Sequence, residues 1–255
     1  MKASFKAIVF DLDGVITKTA VTHIKAWKNI FDEFLKFRAE REQISFKEFT
    51  ETDYLDYVDG KPRYEGVSSF LESRNINIPE GSMDDSPEEE SICGLGNRKN
   101  KVFLEILQKE GTEVYPSSKE LLLNLKAASV KTGVASSSKN CGKILETVGL
   151  LHMFDVMVDG IISEETGLNG KPEPDIFLMA CDLMGSNPKE TIVVEDAVSG
   201  VQAGAKGNFG LTLGVARKNN KEDLLINGAD YVVKDLQEIK GVEGLNKLFL
   251  QFKKS

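Results

Sequence analysis

The sequence predicts an α/β protein with a doubly wound parallel sheet, interrupted by an inserted all-helical domain. Three observations favour this fold class. Short apolar runs rich in β-branched residues recur along the chain, and a helix-like pattern follows each of them. These runs are continuously apolar rather than alternating, as is typical of strands that a parallel sheet buries on both faces. The stretch from 19 to 112 has no convincing run of this kind, and its apolar residues recur with helical spacing instead.

Six apolar runs are the predicted strands, and the third of them is the weakest. They are Ala7–Phe10, Thr132–Ala135, Val156–Val158, Thr191–Val194, Leu211–Leu213 and Tyr231–Val233. Strands that alternate with helices over short links build a doubly wound sheet with helices on both faces. We therefore predict an α/β core domain from residues 1–18 and 113–255.

Helices between the strands have recognisable start and stop signals. Ser117–Glu120 has the form of a capping box just after Pro116, so we predict a helix start there. Pro172 and Pro174 are expected to open a later helix, since proline suits the first helical turn. Gly185 is expected to end that helix, because glycine accommodates the left-handed conformation that often follows a last turn.

The inserted segment, residues 19–112, is predicted to be a helical domain of its own. Ser45–Glu48 is a second capping box. One helical face is formed by Ile24, Trp27, Phe31, Phe34 and Leu35. The segment also contains an acidic run, Glu80–Glu90, with six carboxylates and no basic residue. A solvated loop explains this run better than the alternative, a metal site.

Composition excludes several classes of function. The 255 residues include 32 basic and 40 acidic side chains, and the net charge of −8 disfavours nucleic acids and anionic membranes as partners. No apolar stretch is long enough to span a membrane, and no apolar secretory segment follows Met1. The three cysteines are widely separated and odd in number, which indicates free thiols in a reducing compartment. We therefore expect a cytoplasmic protein.

Ligands of open α/β sheets bind outside the carboxyl ends of the strands, so the residues after each predicted strand are candidates for a site. Asp11–Gly14 follows the first strand, Ser136–Asn140 the second and Glu195–Asp196 the fourth. Lys171 ends the loop after the third strand. Carboxylate oxygens suit Mg²⁺, and a hydroxyl and an ammonium group can balance phosphate charge. The sequence therefore predicts a site for a phosphate group beside a divalent cation.

The first strand end suggests covalent chemistry. A carboxylate such as Asp11 can act as a nucleophile and form an aspartyl-phosphate. A cation and Lys171 would relieve the repulsion between that carboxylate and an incoming phosphate. Asp13, two residues further on, can share the same side of an extended chain and act as a general acid and base. Gly14 allows the backbone to approach a phosphate closely.

Four motifs, in order along the chain, resemble those of the haloacid dehalogenase superfamily of phosphotransferases. They are Asp11-Leu12-Asp13-Gly14-Val15, Ser136, Lys171-Pro172 and Glu195-Asp196. One D-x-D-G match would be weak, but four motifs in register cover the whole core domain. The resemblance implies a Rossmannoid core with strand order 3-2-1-4-5 and a helical cap inserted after the first motif. It implies Asp11 and Asp13 as catalytic residues. The ligands it implies for one Mg²⁺ per site are Asp11, Asp13, Glu195 and Asp196.

Further residues resemble the β-phosphoglucomutase-like branch of this superfamily. They are Gly14-Val15-Ile16-Thr17, Thr19-Ala20, His23, Ala26-Trp27-Lys28, Ala135-Ser136-Ser137-Ser138-Lys139-Asn140 and Lys171-Pro172-Glu173-Pro174-Asp175. The implied phosphate- and substrate-binding residues are Gly14, His23, Trp27, Arg63, Ser136, Ser137, Ser138, Lys139, Asn140 and Lys171. Two departures concern the substrate: Lys18 stands where an aspartate is expected, and Ala197 stands where a serine is frequent.

Several of these residues have simpler explanations. His23 could pack within the cap or lie on its surface, and Trp27 is better explained as part of the cap core. Arg63, our candidate for the phosphate-binding arginine of the cap, could be a solvated residue of the loop Asp59–Tyr64. Lys139 and Asn140 could simply open the next helix. Cys141 lies near the predicted site, but no histidine or asparagine pattern supports a thiol nucleophile there.

The resemblance implies Mg²⁺-dependent phosphoryl transfer that interconverts β-glucose 1-phosphate and glucose 6-phosphate, with β-glucose 1,6-bisphosphate as activator or intermediate. The expected partner is a small phosphorylated sugar, the expected state is a monomer, and the cap is expected to exclude water. A phosphatase of the same superfamily is the alternative, because both enzymes would use Asp11 covalently. A dehalogenase would need neither a metal nor an acid at Asp13, so the presence of Asp13, Glu195 and Asp196 disfavours it. A non-catalytic regulator would be expected to lack the nucleophile or a metal ligand, and both are present here.

Overall fold

The computed structural model describes residues 3–217 and 219–252, which divide into two compact units. The first is an α/β unit, formed by the residues before Thr19 and those from Glu113 onward. The second, Thr19–Thr112, is all-helical, and we call it the helical unit. The chain thus leaves the α/β unit after Lys18 and re-enters it at Glu113.

Six parallel strands form one sheet in the order β3-β2-β1-β4-β5-β6. The strands are β1 (Ala7–Phe10), β2 (Lys131–Ala135), β3 (Val156–Val158), β4 (Thr191–Glu195), β5 (Leu211–Val215) and β6 (Tyr231–Val233). The predicted fold class and all six predicted strands are confirmed, with three strands longer than predicted by one or two residues. The implied order 3-2-1-4-5 is also confirmed, and β6 extends the sheet beside β5. The central strand β1 is fully buried, as its uninterrupted apolar sequence requires.

The helices of both units are numbered in chain order. Those of the helical unit are α1 (Thr19–Glu42), α2 (Glu51–Tyr57), α3 (Arg63–Ser73) and α4 (Ile92–Glu110). Those of the α/β unit are α5 (Pro116–Ala127), α6 (Cys141–Thr147), α7 (Gly160–Thr166), α8 (Asp175–Leu183), α9 (Val198–Lys206), α10 (Lys221–Ile226) and α11 (Gly241–Phe252). Among the described residues, no helix combines the length and the apolarity that crossing a bilayer requires.

The predicted capping box at Ser117–Glu120 is wrong. Helix α5 begins at Pro116, and its N-cap residue Tyr115 makes no side-chain capping bond. The Ser118 hydroxyl instead donates to the Val15 carbonyl oxygen at 2.6 Å. A proline at the first helical position has no N–H group to satisfy, so this helix begins without a serine cap. Ser118 thereby ties the start of α5 to the loop after β1.

The predicted capping box at Ser45–Glu48 is also wrong, because the same pattern occurs again five residues later. Helix α2 begins at Glu51, and the Thr50 and Asp53 side chains cap each other's backbone N–H groups. Phe49 immediately precedes this cap and is fully buried in the helical unit. Burial of that ring fixes where the chain enters the helix, which the repeated polar pattern could not decide.

The start of α8 was predicted in part. Pro174 is its N-cap residue, whereas Pro172 lies outside the helix and its peptide bond with Lys171 is cis. Gly185 follows the last turn with a φ of 65°, which confirms the predicted stop.

The helical unit has an apolar core of its own. Trp27, Phe31, Phe49 and Phe70 form a cluster of rings whose successive centroids lie 4.2–5.1 Å apart. All of Thr19–Thr112 is described, and it contains no strand, as predicted. The acidic run Glu80–Glu90 forms an irregular loop, which confirms that prediction.

Candidate active site

The carboxyl ends of β2, β1 and β4 lie side by side at one edge of the sheet, because β1 pairs with both neighbours in parallel. The order of the strands reverses beside β1, which is the usual ligand position in such sheets. Asp11 follows β1, and its backbone N–H donates to the Val194 carbonyl oxygen of β4 at 2.9 Å. Ser136 follows β2, Glu195 ends β4 and Asp196 comes next. The structure therefore gathers the predicted strand-end residues at one edge.

Lys171 bridges two of the carboxylates at this edge. Its Nζ lies 2.6 Å from Asp11 Oδ1 and 2.7 Å from Glu195 Oε1. The exposed fractions of these three residues are only 2% for Lys171, 7% for Asp11 and 1% for Glu195. The ring of Phe177 covers the ammonium group at 4.7 Å from the ring centroid. Such buried charges are tolerated only when they are closely paired and hydrogen-bonded, as these are.

The electrostatics of this edge favour further positive charge. Burial raises the pKa of Asp11 well above its ordinary range, and Glu195 and Asp13 add to the effect, while Lys171 opposes it. Burial lowers the pKa of Lys171, but the Asp11 and Glu195 carboxylates outweigh it and raise that pKa above its ordinary value. Lys171 is therefore a permanent positive charge at neutral pH. A second cation near Asp11 would keep its carboxyl ionised, as a nucleophile must be.

Glu195 is anchored through both of its carboxylate oxygens. Oε1 accepts from Lys171, and Oε2 accepts from the backbone N–H of Ala197 at 2.7 Å. A Cβ atom on Gly200 would lie 1.8 Å from Oε1, so only glycine leaves room for this carboxylate. Glu195 thus orients Lys171, and its predicted role as a metal ligand stays a prediction, since each carboxylate oxygen keeps a further lone pair.

Gly14 brings the loop after β1 against Asp196. Its φ of 88° favours glycine, and a Cβ atom there would lie 2.1 Å from Asp196 Oδ2. The turn is closed by hydrogen bonds from the Gly14 N–H to the Thr17 carbonyl oxygen at 2.8 Å and from the Thr17 hydroxyl to the Leu12 carbonyl oxygen at 3.3 Å. The loop that carries Asp11 and Asp13 is therefore in close contact with the Asp196 carboxylate.

The donor set fits a divalent cation. Three buried carboxylates at this edge, those of Asp11, Glu195 and Asp196, face one buried ammonium group, that of Lys171, so two formal negative charges remain. In the described part of the chain, no three His, Cys, Asp or Glu side chains are arranged to enclose a metal by themselves. Mg²⁺ does not require such a cage, since it is commonly held by one or two carboxylates with water and substrate phosphate. The residues thus fit Mg²⁺ rather than a closed structural site.

The loop after β2 forms a polar turn at the same edge. Ser136 is buried, and its Oγ accepts from the backbone N–H of Ser138 at 3.1 Å. The Ser138 hydroxyl accepts in turn from the N–H of Asn140, the N-cap residue of α6, at 3.2 Å. Lys139 forms an ion pair with Glu164 of α7. Ser136 is therefore held at the strand end, whereas a substrate contact by Lys139 would compete with its ion pair.

Ser137 and Cys141 flank this turn. The Ser137 carbonyl oxygen packs so closely on Gly160 that a Cβ atom there would lie 2.6 Å away. The Cys141 thiol is buried, and burial together with the nearby Asp13 and Asp159 raises its pKa well above the ordinary value. A thiolate nucleophile at Cys141 is therefore disfavoured, in agreement with the sequence.

His23 contacts a buried lysine within the helical unit. Its ring stacks on Phe103 with centroids 4.2 Å apart, and its Nδ1 lies 2.5 Å from Lys99 Nζ. That Nζ lies 4.9 Å from the ring centroids of Trp27 and Phe103. Lys99 was not among the predicted residues, because in the basic run of residues 98–101 nothing distinguishes a buried lysine from its solvated neighbours.

Trp27 lies in the core of the helical unit, whereas Arg63 differs from its predicted setting. Trp27 is 4% exposed and stacks on Phe31, with 5.1 Å between the centroids, which supports its explanation as core rather than as a sugar platform. Arg63 does not lie in a loop, because α3 begins with it after Pro62. Proline has a backbone angle suited to a helix start, so the predicted loop ends earlier. The Arg63 guanidinium donates to Asn100 Oδ1 at 2.9 Å.

One side chain in contact with the loop after β1 was missed. Arg217 stands two residues after β5, and its Nε donates to the Gly14 carbonyl oxygen at 3.0 Å. The rule that selects residues at strand ends would have found Arg217 if it had been applied to the fifth strand as well.

Known proteins are similar to this chain throughout its length. A family model for haloacid dehalogenase-like hydrolases matches residues 5–208. β-Phosphoglucomutase of Mycobacterium bovis is 45% identical, over 92% of this chain and 91% of its own length. The Bacillus subtilis β-phosphoglucomutase is 33% identical, over 92% and 91% respectively. A solved β-phosphoglucomutase structure from Clostridium difficile has a TM-score of 0.76 at 26% identity, covering 97% of this chain and 98% of that one. With its four motifs at one edge of a parallel sheet, this chain belongs to the haloacid dehalogenase-like hydrolase family.

Proposed function

We propose that this protein is a Mg²⁺-dependent β-phosphoglucomutase that interconverts β-glucose 1-phosphate and glucose 6-phosphate through an aspartyl-phosphate at Asp11. The observation that carries the proposal is the buried bridge of Lys171 between Asp11 and Glu195 at the carboxyl edge of the sheet. The similarity to two curated β-phosphoglucomutases supports the choice of substrate.

Asp11 is assigned as the nucleophile. Its position directly after β1, together with its backbone bond to β4, fixes the start of the side chain. The ion pair with Lys171 fixes the orientation of the carboxylate. A carboxylate oxygen attacks the phosphorus, and the bond between phosphorus and the sugar oxygen breaks as the acyl phosphate forms. Holding the attacking group in line in this way lowers the entropic cost of the step.

The transferring phosphoryl group needs positive charge around it. Lys171 and the Ser136 hydroxyl are assigned to its oxygens, because both lie at the carboxyl ends of strands next to Asp11. Asp11, Asp13, Glu195 and Asp196 would hold Mg²⁺, which would supply Lewis-acid charge neutralisation. Glu195 also orients Lys171, to which its Oε1 is bonded.

Asp13 is assigned as the general acid and base. It lies two residues after Asp11 and close enough to raise the pKa of that carboxyl. In the first transfer it gives its proton to the departing sugar oxygen, and in the second it takes the proton of the attacking hydroxyl. Asp11 takes the phosphoryl group at position 1 of β-glucose 1,6-bisphosphate, which leaves glucose 6-phosphate. The 6-hydroxyl of β-glucose 1-phosphate then takes that group from Asp11 and regenerates the bisphosphate.

A phosphatase would share every step except the last, in which water replaces the sugar hydroxyl. The proposal therefore requires that water be excluded from the phosphorylated Asp11 while the sugar hydroxyl reacts. The division of products between sugar phosphate and inorganic phosphate distinguishes the two activities.

A phosphorus NMR time course tests the proposal. The protein is mixed with Mg²⁺, β-glucose 1-phosphate and a trace of β-glucose 1,6-bisphosphate. We expect glucose 6-phosphate to accumulate with little inorganic phosphate, and we expect Asp11→Asn to abolish the reaction. Inorganic phosphate as the main product would instead establish a phosphatase. No turnover of this sugar would remove glucose phosphate as the substrate.

A further inference from the structure

Arg217 joins two loops of the α/β unit through one guanidinium group. Its Nε donates to the Gly14 carbonyl oxygen at 3.0 Å, in the loop after β1. Its Nη1 donates to Asp235 Oδ2 at 2.7 Å and to the Lys234 carbonyl oxygen at 3.3 Å, both just after β6. Only 12% of the Arg217 side chain is exposed, so these bonds are largely shielded from competing water.

Tyr115 holds the guanidinium group from a second direction. The guanidinium carbon lies 3.6 Å from the centroid of the Tyr115 ring, a close stacking contact. The backbone N–H of Tyr115 donates to the Ile16 carbonyl oxygen at 3.0 Å, so Tyr115 is also attached to the loop after β1. The guanidinium is therefore confined by a carbonyl, a carboxylate and an aromatic face.

The contact at Gly14 matters because Gly14 lies against Asp196. A Cβ atom on Gly14 would overlap the Asp196 carboxylate, so the position of this turn sets how closely the loop approaches that side chain. Asn220, three residues beyond Arg217, donates from Nδ2 to the Asp196 carbonyl oxygen at 3.3 Å. The segment after β5 thus contacts both the turn at Gly14 and the backbone of Asp196.

We propose that Arg217 is a positioning residue for phosphoryl transfer, whose guanidinium holds the Asp11–Gly14 turn in register with Asp196. This inference rests on the proposed function, since it takes that turn to carry the nucleophile. Asp11 and Asp13 belong to one loop and Asp196 to another, and their separation must be held to a fraction of an ångström for catalysis. Arg217 attaches the first loop to the segment after β5, and Asn220 of the same segment bonds the backbone of Asp196.

Arginine is needed at this position because the contacts diverge from one planar group. A guanidinium can donate from Nε and Nη1 in fixed directions while its face stacks on a ring. A lysine would keep the charge, and one ammonium could reach Asp235 or the Gly14 carbonyl oxygen, but it lacks the planar fork. Arg217→Lys therefore separates the geometry of this contact from its charge.

The helical unit offers a matched control at Arg74. The Arg74 side chain is also 12% exposed, its Nη2 lies 2.8 Å from Asp53 Oδ2, and it donates to the carbonyl oxygens of Lys47 and Glu48. It also lies over an aromatic ring, that of Phe70, at 5.2 Å. Arg74→Lys thus makes the same chemical change in a comparable setting, outside the loops of the sheet edge.

The test compares wild type, Arg217→Lys, Asp235→Asn and Arg74→Lys in the full chain. We expect Arg217→Lys to lower kcat for phosphoryl transfer by roughly 10²-fold, the effect of a small misplacement, while KM changes less than about threefold. Hydrogen–deuterium exchange of the backbone amides of residues 12–17 should become faster in Arg217→Lys. Asp235→Asn should show both effects to a smaller degree, and Arg74→Lys neither.

Two results would overturn this inference: unchanged exchange at residues 12–17 in Arg217→Lys, or a loss of kcat no larger than that in Arg74→Lys. The proposed function is judged separately, by turnover of β-glucose 1-phosphate by wild type. If that turnover is absent, the exchange measurement still decides whether Arg217 holds the turn. In that case kcat is measured with a simple phosphate ester as the phosphoryl donor.

Discussion

Lys171 of the α/β unit and Lys99 of the helical unit are both buried, yet the two regions surround their ammonium groups differently. Lys171 lies within 2.7 Å of two carboxylate oxygens, those of Asp11 and Glu195. Lys99 lies over the rings of Trp27 and Phe103 and beside the imidazole of His23. Carboxylates fix a charge in one place, whereas ring faces stabilise it more weakly.

This difference follows the tasks of the two regions. At the sheet edge, several carboxylates lie close together for the proposed chemistry. The lysine among them offsets their mutual repulsion and holds the proposed nucleophile. Removing one partner of such a buried group leaves charges without compensation, which costs more than the pair itself contributes. In the helical unit, the aromatic core continues around Lys99, so an apolar side chain could take its place. Substitutions at the sheet edge and in the helical unit should therefore differ in their effects on stability and activity.

Lys171→Met should have the largest effect. The buried carboxylates of Asp11 and Glu195 would lose their ammonium partner, so we expect a loss of about 3–5 kcal/mol in the free energy of unfolding at pH 7. Phosphoryl transfer should fall by at least roughly 10³-fold, the scale set by loss of a main electrostatic donor. Urea unfolding followed by circular dichroism, together with the phosphorus NMR assay, would measure both.

The stabilisation contributed by Lys171 should also depend on pH in a definite direction. Since the pKa of Lys171 is raised, its stabilising effect should be complete below the ordinary lysine value of about 10.4 and disappear as pH rises through the higher folded value. Lys206→Met is the matched control, because Lys206 pairs with Glu173 on the exposed surface of the same unit and should cost no more than about 1 kcal/mol. Equal losses in the two variants would contradict the special role of Lys171.

Glu195→Gln should have the next largest effect. The amide oxygen can still accept from the Ala197 N–H, but the negative charge beside Lys171 is lost. We expect a loss of about 1–3 kcal/mol in stability, the range for a hydrogen bond to a charged group. Activity should fall less than in Lys171→Met, because Lys171 keeps its bond to Asp11. A larger loss of activity than in Lys171→Met would show that Glu195 does more than orient the lysine.

Asp53→Asn tests whether carboxylate pairing behaves in the helical unit as it does at the sheet edge. Burial raises the pKa of Asp53, but hydrogen bonds from Thr50 and the Arg74 guanidinium outweigh it and lower that pKa. The stabilisation is therefore present above the ordinary value of about 3.9 and lost as pH falls through the lower folded value. We expect a loss of about 1–2 kcal/mol at pH 7 that vanishes in acid.

Trp27 is the single tryptophan of the chain and lies in the helical unit, so its fluorescence follows the unfolding of that unit. Glu89→Gln is a suitable comparison, because Glu89 is an exposed residue of the acidic loop. A deficit in Asp53→Asn that persisted or grew below pH 3 would contradict the assignment of its cause.

Lys99→Met should have the smallest effect. The methionine is one atom shorter than the lysine but can still pack against the rings of Trp27 and Phe103, and it removes a buried charge. We expect the free energy of unfolding to change by no more than about 1 kcal/mol, since cation–π attraction and the cost of burying the charge oppose each other. Trp27 fluorescence in urea would measure it. A loss as large as that of Lys171→Met would abolish the distinction between the two regions.

Much of the sheet edge could be predicted from the sequence. Uninterrupted apolar runs identify buried parallel strands, which end at the same edge of a sheet. The resemblance to the family supplied the strand order that places β1 between β2 and β4. The sequence could not reveal which oxygens Lys171 contacts, because that depends on the path of the loop before it. For the same reason the sequence could not show that Glu195 accepts from Lys171 and from the Ala197 N–H.

The helical unit was less predictable in detail. Its helices follow from apolar periodicity, but two capping patterns five residues apart competed for the start of α2, and only the burial of Phe49 decides between them. Arg63 was predicted to lie in a loop for a similar reason, because the sequence did not show that α3 begins at this residue. Lys99 could not be found at all, because burial of a lysine is a property of packing between helices and not of local sequence.

Identification of the phosphorylated residue is the most direct test of Asp11 as the phosphoryl acceptor. The protein is mixed with Mg²⁺ and β-glucose 1,6-bisphosphate, quenched in acid within the first turnover, and reduced with borohydride, which converts an aspartyl-phosphate into homoserine. Peptide mass spectrometry should then find homoserine at position 11 in wild type and nowhere in Asp11→Asn. Homoserine at another aspartate, or turnover of the bisphosphate by Asp11→Asn at the wild-type rate, would contradict the proposed reaction.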